Sequence, residues 1–167
     1  MTDTVGSSTA QGLWRPPQHV EVPLTQGLVA LVDAEDYERV SQFKWGAIQK
    51  KHLWYAHCGW ANIYMHQLVF GPHTHEIDHK NGNGLDNRKA NLREATRSQQ
   101  TANARKTSKP TSSVYKGVVR CRGAWRAQIQ PDGKCIYLGS FQSEEEAARA
   151  YDDAAREVFG EFANTNF

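Results

Sequence analysis

Four residues that can bind metals or move protons are crowded into the middle of the chain. His73, His75, Asp78 and His79 fall within seven positions, and imidazole and carboxylate groups are common metal ligands. The His-x-His spacing alone says little, because alternate residues of any exposed strand share a face.

The residues around Asp78-His79 form a more specific arrangement. The turn sequence NGNG follows at residues 81–84, and Asn87-Arg88 and Asn91-Leu92-Arg93 come next. Asn-Gly sequences favour tight turns, so we predict a hairpin or loop here, followed by a helix near Gln99.

The string IDHKNGNGLDNRKANLREATRSQQTANA resembles the HNH nuclease motif, in the form common among phage and intron-encoded homing endonucleases. The resemblance covers roughly residues 66–103. It begins at Met65-His66-Gln67-Leu68, which is similar to the "HR-L" strand that precedes the motif in that family. It implies a ββα-metal fold, in which two strands and one helix hold a single divalent metal.

The resemblance also implies roles for individual residues. His79 would be the general base, Asp78 a metal ligand, and Asn91 would orient the His79 ring through a backbone-linked hydrogen bond. The family has His or Asn at the helix position that completes the metal site, whereas this chain has Gln100. Asn103, on roughly the same helical face, could take its place.

These residue types suit phosphodiester hydrolysis. A phosphodiester is anionic, so hydroxide attack needs a metal to neutralise charge. A histidine with a pKa of about 6.5 can accept the proton near neutral pH. Carboxylate and amide oxygens favour Mg²⁺ or Mn²⁺ over Zn²⁺, so we expect Mg²⁺ (or Mn²⁺) as the cofactor.

An α+β fold must position these residues. Short apolar segments from Val20 to Phe70 (VEVPL, GLVALV, FKWGAI, LWYAH and NIYMHQLVF) predict a small β-rich part, with a helical turn at residues 34–42. This part leads into the ββα-metal motif. We predict a disordered tail at 1–18, the β-rich segment plus nuclease domain at 19–103, a basic linker at 104–113, and a DNA-binding domain at 114–167.

The last domain is predicted to be a three-stranded antiparallel sheet packed on one helix. The expected strands are 115–120, 124–130 and 134–138, and Ser143 with Glu146 forms a capping box for a helix that stops at Gly160. Its sequence resembles the Apetala-type ethylene-response-factor (AP2/ERF) DNA-binding domain. The matching segments are YKGV (115–118), WRAQI (125–129), YLGSF (137–141), EEAARAYD (145–152) and NF (166–167).

That resemblance implies a sheet lying in the DNA major groove with the helix behind it. Charge agrees independently: residues 88–134 hold twelve Lys and Arg against two acidic residues, a net charge of +10, which leaves −8 for the rest of the chain. The helix is acidic and would not face DNA. The expected DNA contacts are Lys116, Arg120, Arg122, Arg126, Gln128, Gln130 and Tyr137.

We therefore expect a DNA endonuclease acting on double-stranded DNA, with no membrane segment and no obligate protein partner indicated. Three cysteines without CxxC spacing argue against a disulfide framework. The expected location is intracellular, cytoplasmic or nucleoid-associated, in a bacterial or phage-infected cell. Two alternatives stay open: a non-catalytic, transcription-factor-like protein with a degenerate HNH site, and a structure-specific nuclease acting on RNA or branched DNA.

Overall fold

The computed structural model describes residues 18–106 and 112–167. Within these ranges the chain forms ten short strands and four helices, so the α+β class is confirmed. The predicted disordered tail lies outside the described residues except for Gln18, as do residues 107–111 of the predicted linker.

The N-terminal part consists of two small antiparallel sheets and two helices. One sheet pairs β1 with β2, and the other has the order β3-β4-β5. The elements are β1 (His19–Pro23), β2 (Val29–Asp33), α1 (Tyr37–Ser41), β3 (Gly46–Lys50), β4 (Leu53–Cys58), β5 (Ile63–Tyr64) and α2 (Met65–Phe70). The predicted helical turn at 34–42 is present as a 3-10 turn, Ala34–Asp36, followed by α1.

One predicted strand is wrong. NIYMHQLVF, and with it the "HR-L" segment, is a strand only at β5 and then becomes α2. The Gln67 side-chain oxygen accepts a hydrogen bond from Tyr64 N at 3.2 Å, which caps the first turn. Met65 and Val69, four residues apart, are both buried, so one face of α2 packs in the hydrophobic core.

The central motif has the expected ββα arrangement. β6 (Glu76–His79) and β7 (Leu92–Ala95) pair antiparallel, and α3 (Arg97–Asn103) follows. A core of buried residues from the N-terminal part extends to Ile77 of β6 and Leu92 of β7. The β-rich segment and the motif therefore share one hydrophobic core.

The C-terminal module also has the predicted architecture. Its sheet order is β10-β9-β8, all antiparallel, with α4 packed on one face. The elements are β8 (Val118–Cys121), β9 (Ala124–Ile129), β10 (Ile136–Phe141) and α4 (Glu144–Phe159). Ser143 Oγ accepts a hydrogen bond from Glu146 N at 3.1 Å, and Gly160 caps the end of α4, both as predicted.

Candidate functional site

Asp78 and His79 are the last two residues of β6, and β7 places Arg93 opposite Asp78 and Leu92 opposite His79. Successive strand residues point to opposite faces. His79 is only 6% exposed, and its ring packs edge-on against His66 of α2, with ring centroids 5.1 Å apart. The Asp78 carboxylate meets α3 instead.

Hydrogen bonds define which nitrogen of His79 carries the proton. Asn87 Nδ2 points at the backbone oxygen of Leu85, 3.2 Å away, and a carbonyl can only accept. Asn87 Oδ1 therefore faces His79 Nε2, at 3.2 Å, so Nε2 must donate. Because neutral imidazole has one donor and one acceptor nitrogen, Nδ1 carries a free lone pair, to which no described residue donates.

The partner of the ring is thus Asn87, whereas the sequence led us to expect Asn91. Asn91 organises the loop instead: its Nδ2 donates to the backbone oxygen of Asp86 at 2.8 Å, and its Oδ1 accepts from Asn81 N at 3.0 Å. Asn91 therefore holds the loop that carries Asn87.

The N-terminal part holds this loop in place. Leu31 of β2 donates its N–H to the oxygen of Leu85, and its oxygen accepts from Asn87 N, both at 2.8 Å. The buried Asp86 carboxylate receives two hydrogen bonds of 2.7 Å from the Arg88 guanidinium. The sequence left the role of the β-rich segment open. Through Leu31 this segment holds Asn87, which in turn contacts the His79 ring.

Burial keeps both histidines of the site neutral. It lowers the pKa of His79 below its ordinary value, although the Asn87 hydrogen bond and the charge of Asp78 partly oppose this. Burial, followed by the repulsion that a protonated His79 would exert, lowers the pKa of His66 to about 3. His66 Nδ1 is buried without a hydrogen-bond partner among the described residues.

One oxygen of Asp78 is occupied and the other is not. Oδ2 accepts from Arg93 Nε at 3.2 Å and Nη2 at 3.1 Å, and from Asn103 Nδ2 at 3.0 Å. Asn103 Nδ2 also donates to the backbone oxygen of His79 at 2.9 Å. In the described part of the chain nothing donates to Asp78 Oδ1.

Asn103 and Gln100, the two helix residues expected at the metal site, differ in the hydrogen bonds of their side chains. Asn103 is committed to two hydrogen bonds that tie α3 to β6. The side-chain amide of Gln100, one turn earlier on the same helical face, makes no hydrogen bond with the residues the structure describes. In these ranges no group of three or more His, Cys, Asp and Glu residues is arranged so that it could hold a metal ion. A set of one carboxylate and amide oxygens fits a hard divalent cation that keeps several waters.

The expected DNA contacts lie on both faces and at the rim of the C-terminal sheet. Val118, Trp125 and Ala127 pack towards α4, so the alternate positions face outwards. Arg126, Gln128 and Tyr137 share this outer face, since Tyr137 pairs with Gln128. The Arg126 guanidinium lies 4.9 Å from the Tyr137 ring centroid. Arg122 lies in the adjoining turn, and Gln130 is exposed just beyond β9.

Two of the expected contacts are placed elsewhere. Arg120 pairs with Trp125 and shares its side of the sheet, with the guanidinium 5.1 Å from the Trp125 ring centroid. The Lys116 ammonium lies against α3, where it donates to the backbone oxygens of Ala102 and Ala104. Burial lowers the pKa of Lys116 to about 8, so at neutral pH it is mainly protonated.

Comparison with known proteins now identifies the central motif. Residues 61–102 match the family model described as HNH endonuclease. The chain is also 30% identical over 149 residues to an uncharacterized HNH endonuclease of Acanthamoeba polyphaga mimivirus, covering 84% of this chain and 76% of the relative. The chain belongs to the HNH endonuclease family. Its HNH region contains β5, α2, β6, β7 and most of α3.

The C-terminal part of this HNH family member has plant relatives. It is 51% identical over 57 residues to an AP2/ERF and B3 domain-containing transcription repressor of Arabidopsis thaliana, covering 34% of the chain and 16% of the relative. An AP2-like ethylene-responsive transcription factor of the same plant is 36% identical over 105 residues, covering 59% and 19%. The chain thus spans less than a fifth of either plant protein. The HNH and the AP2/ERF matches together indicate a protein that acts on DNA.

Of the helices in the described ranges, none combines the length and apolarity needed to span a bilayer.

Asn87, Arg93 and His66 contact the central site, yet the sequence assigned them no role. Their signal was weak, because Asn87 stands four residues from the equally plausible Asn91, and His66 lies in a segment taken for a strand.

Proposed function

We propose that the protein is a DNA endonuclease that hydrolyses phosphodiester bonds with one divalent metal, guided by the C-terminal sheet. The observation that carries this proposal is the Asn87–His79 hydrogen bond, which leaves Nδ1 unprotonated. The preceding residue of β6, Asp78, keeps one carboxylate oxygen to which no described residue donates.

In the proposed reaction His79 Nδ1 accepts a proton from water as the water oxygen attacks phosphorus. The new P–O bond forms, the bond to the leaving sugar oxygen breaks, and the imidazolium is stabilised by Asn87 Oδ1 at Nε2. A divalent cation held by the site would neutralise charge on the phosphate and on the leaving oxygen.

We assign the metal to Asp78 Oδ1 and the Gln100 amide oxygen, with Mg²⁺ or Mn²⁺ as the ion. Asn103 clamps α3 to β6 through Nδ2, and its Oδ1 is a further candidate ligand. Hard oxygen donors favour these ions over Zn²⁺. Arg93 stays on Oδ2 and holds the carboxylate in one orientation.

We propose the outer sheet face as the DNA-binding surface, with Arg126, Gln128, Tyr137, Arg122 and Gln130 as contacts. Arg120 would reach DNA only from the rim of the sheet. Arg and Gln side chains can recognise base edges in the major groove, where the base pattern is unique. This substrate also implies an intracellular, nucleoid-associated location.

Arg126→Ala should weaken DNA binding by about 1–3 kcal/mol if its guanidinium contacts a base, and lower the magnitude of the log-log salt slope by about 1 if it contacts phosphate. The control is Arg156→Ala, which removes the same charge from α4, where the Arg156 guanidinium donates to Asp153 and to the backbone oxygen of Phe167. Fluorescence anisotropy over a salt series distinguishes the two. Equal effects from both variants would remove the sheet from the interface.

The endonuclease proposal is tested with supercoiled plasmid and purified protein in Mg²⁺, Mn²⁺ or EDTA. We expect nicked or linear products with either metal and intact plasmid in EDTA, while gel-shift binding persists in all three. Cleavage that is equal in EDTA would contradict the metal assignment.

The second candidate, a DNA-binding protein without activity, is favoured by two observations. His79 is almost fully buried, and Arg93 already neutralises Asp78 across a 3.1 Å ion pair. Intact plasmid in both metals, together with a clear gel shift, would establish this candidate instead.

A further inference from the structure

The carbonyl groups at the end of α3 are satisfied by the other module. The last four carbonyls of a helix have no partner within the helix. Lys116 Nζ donates to the oxygens of Thr101 (3.5 Å), Ala102 and Ala104 (2.8 Å). Asn164 Nδ2 donates to Asn103 at 2.9 Å, and Asn164 N donates to Ala102 at 3.3 Å.

A second contact reaches Asp78 itself. The Arg93 guanidinium that holds Asp78 also donates through Nη1 to the backbone oxygen of Glu161 at 2.8 Å and to its carboxylate at 3.2 Å. It lies 3.7 Å from the centroid of the Phe162 ring. The Arg93 side chain is only 10% exposed, because the module covers it.

The groups that make these contacts are themselves firmly held. Lys116 N donates to Asn166 Oδ1 at 2.7 Å, and Asn166 N donates to the carboxylate of Asp152 at 2.8 Å. Asp152 is buried on α4. The other end of α3 is also contacted, since Asp132 N donates to Ser98 Oγ at 2.9 Å.

We propose that the C-terminal module is a structural part of the nuclease site as well as a DNA-binding unit. Lys116 and Asn164 position α3, and Glu161 and Phe162 position Arg93 and thereby Asp78. This inference rests on the proposed function for its effect on cleavage. The docking itself does not depend on activity.

The consequence is that the interface sets the cleavage rate, not only DNA affinity. Small displacements of catalytic groups can cost up to about a hundredfold in rate. A module that served only as a tether would change apparent affinity and leave the rate at saturating DNA unchanged.

The test uses the full chain with Lys116→Met, Asn164→Ala and the conservative Lys116→Arg. Lys134→Met is the matched control, because it removes the same charge from the same module at an exposed position. Single-turnover cleavage is measured at saturating DNA and Mg²⁺, DNA affinity in EDTA, and amide hydrogen exchange of residues 100–104 without DNA.

Lys116→Met and Asn164→Ala should each lower the saturated rate by about tenfold or more and speed exchange in α3. Lys116→Arg should restore part of both, and Lys134→Met should change neither. A loss of affinity alone, with the saturated rate and exchange unchanged, would overturn the proposal and make Lys116 a DNA contact.

Failure of the proposed function is distinguishable from failure of this inference. If the wild-type protein does not cleave, exchange still decides: faster exchange in α3 for Lys116→Met but not for Lys134→Met supports docking, and equal exchange overturns it. If Lys116→Met does not fold, Asn164→Ala, which keeps the charge, provides the same comparison.

Discussion

His79→Ala is expected to lower the rate of plasmid cleavage by about 10²–10⁴-fold, the usual contribution of a positioned general base. The variant loses Nδ1, the proposed proton acceptor, while Asp78 and α3 keep their mutual hydrogen bonds. DNA affinity should stay close to that of the wild type, because His79 is buried and is not one of the proposed contacts on the outer sheet face.

The measurement is single-turnover cleavage in Mg²⁺, with a thermal melt to show that the variant is folded. His52→Ala is the matched control, since His52 is exposed in the turn between β3 and β4 and should leave the rate unchanged. If His79→Ala melts as a folded protein and cleaves at the wild-type rate, His79 is not the base.

Gly117→Ala is expected to destabilise the C-terminal module by about 2–4 kcal/mol. Gly117 has a φ of +75°, and an added Cβ would overlap the Tyr151 ring of α4. The left-handed backbone costs alanine about 1 kcal/mol, and overpacking a buried ring typically costs a further 1–3 kcal/mol. The melting temperature should fall by about 8 °C or more.

Gly123→Ala separates the two causes. Gly123 has a φ of +85°, but an added Cβ would have no heavy atom within 4 Å. It should therefore lose only about 1 kcal/mol. Differential scanning calorimetry of both variants gives the comparison, and equal melting temperatures would refute close packing of Gly117 on Tyr151.

Elements whose structure depends on a few neighbouring residues could be predicted from the sequence. The Ser143–Glu146 capping box, Gly160 and the three C-terminal strands are each encoded within a few residues, so α4 and the sheet could be predicted. NIYMHQLVF misled because a short apolar run suits a buried strand and a buried helix equally. Contacts of Met65 and Val69 with a distant core decided for the helix.

The central site likewise has features that the local sequence predicts and features that depend on distant residues. The types and spacing of Asp78, His79 and the helix near Gln100 follow from the motif, because a β-hairpin and one helix place them through local geometry. Which asparagine holds the His79 ring depends on Leu31, more than fifty residues earlier in the chain. No local pattern carries that information.

For the central site around Asp78 and His79, the sequence determined which residue types are present, and the tertiary structure determined how they are arranged. The types and spacing of the residues from Asp78 to Gln100 led us to expect a metal site and a general base. The tertiary structure decided that Asn87 faces Nε2 of His79, that Asn103 Nδ2 donates to Asp78 and to the His79 backbone, and that Lys116 meets α3. The physical reason is that buried polar groups must find partners, and these partners come from wherever the folded chain brings a donor or acceptor within reach.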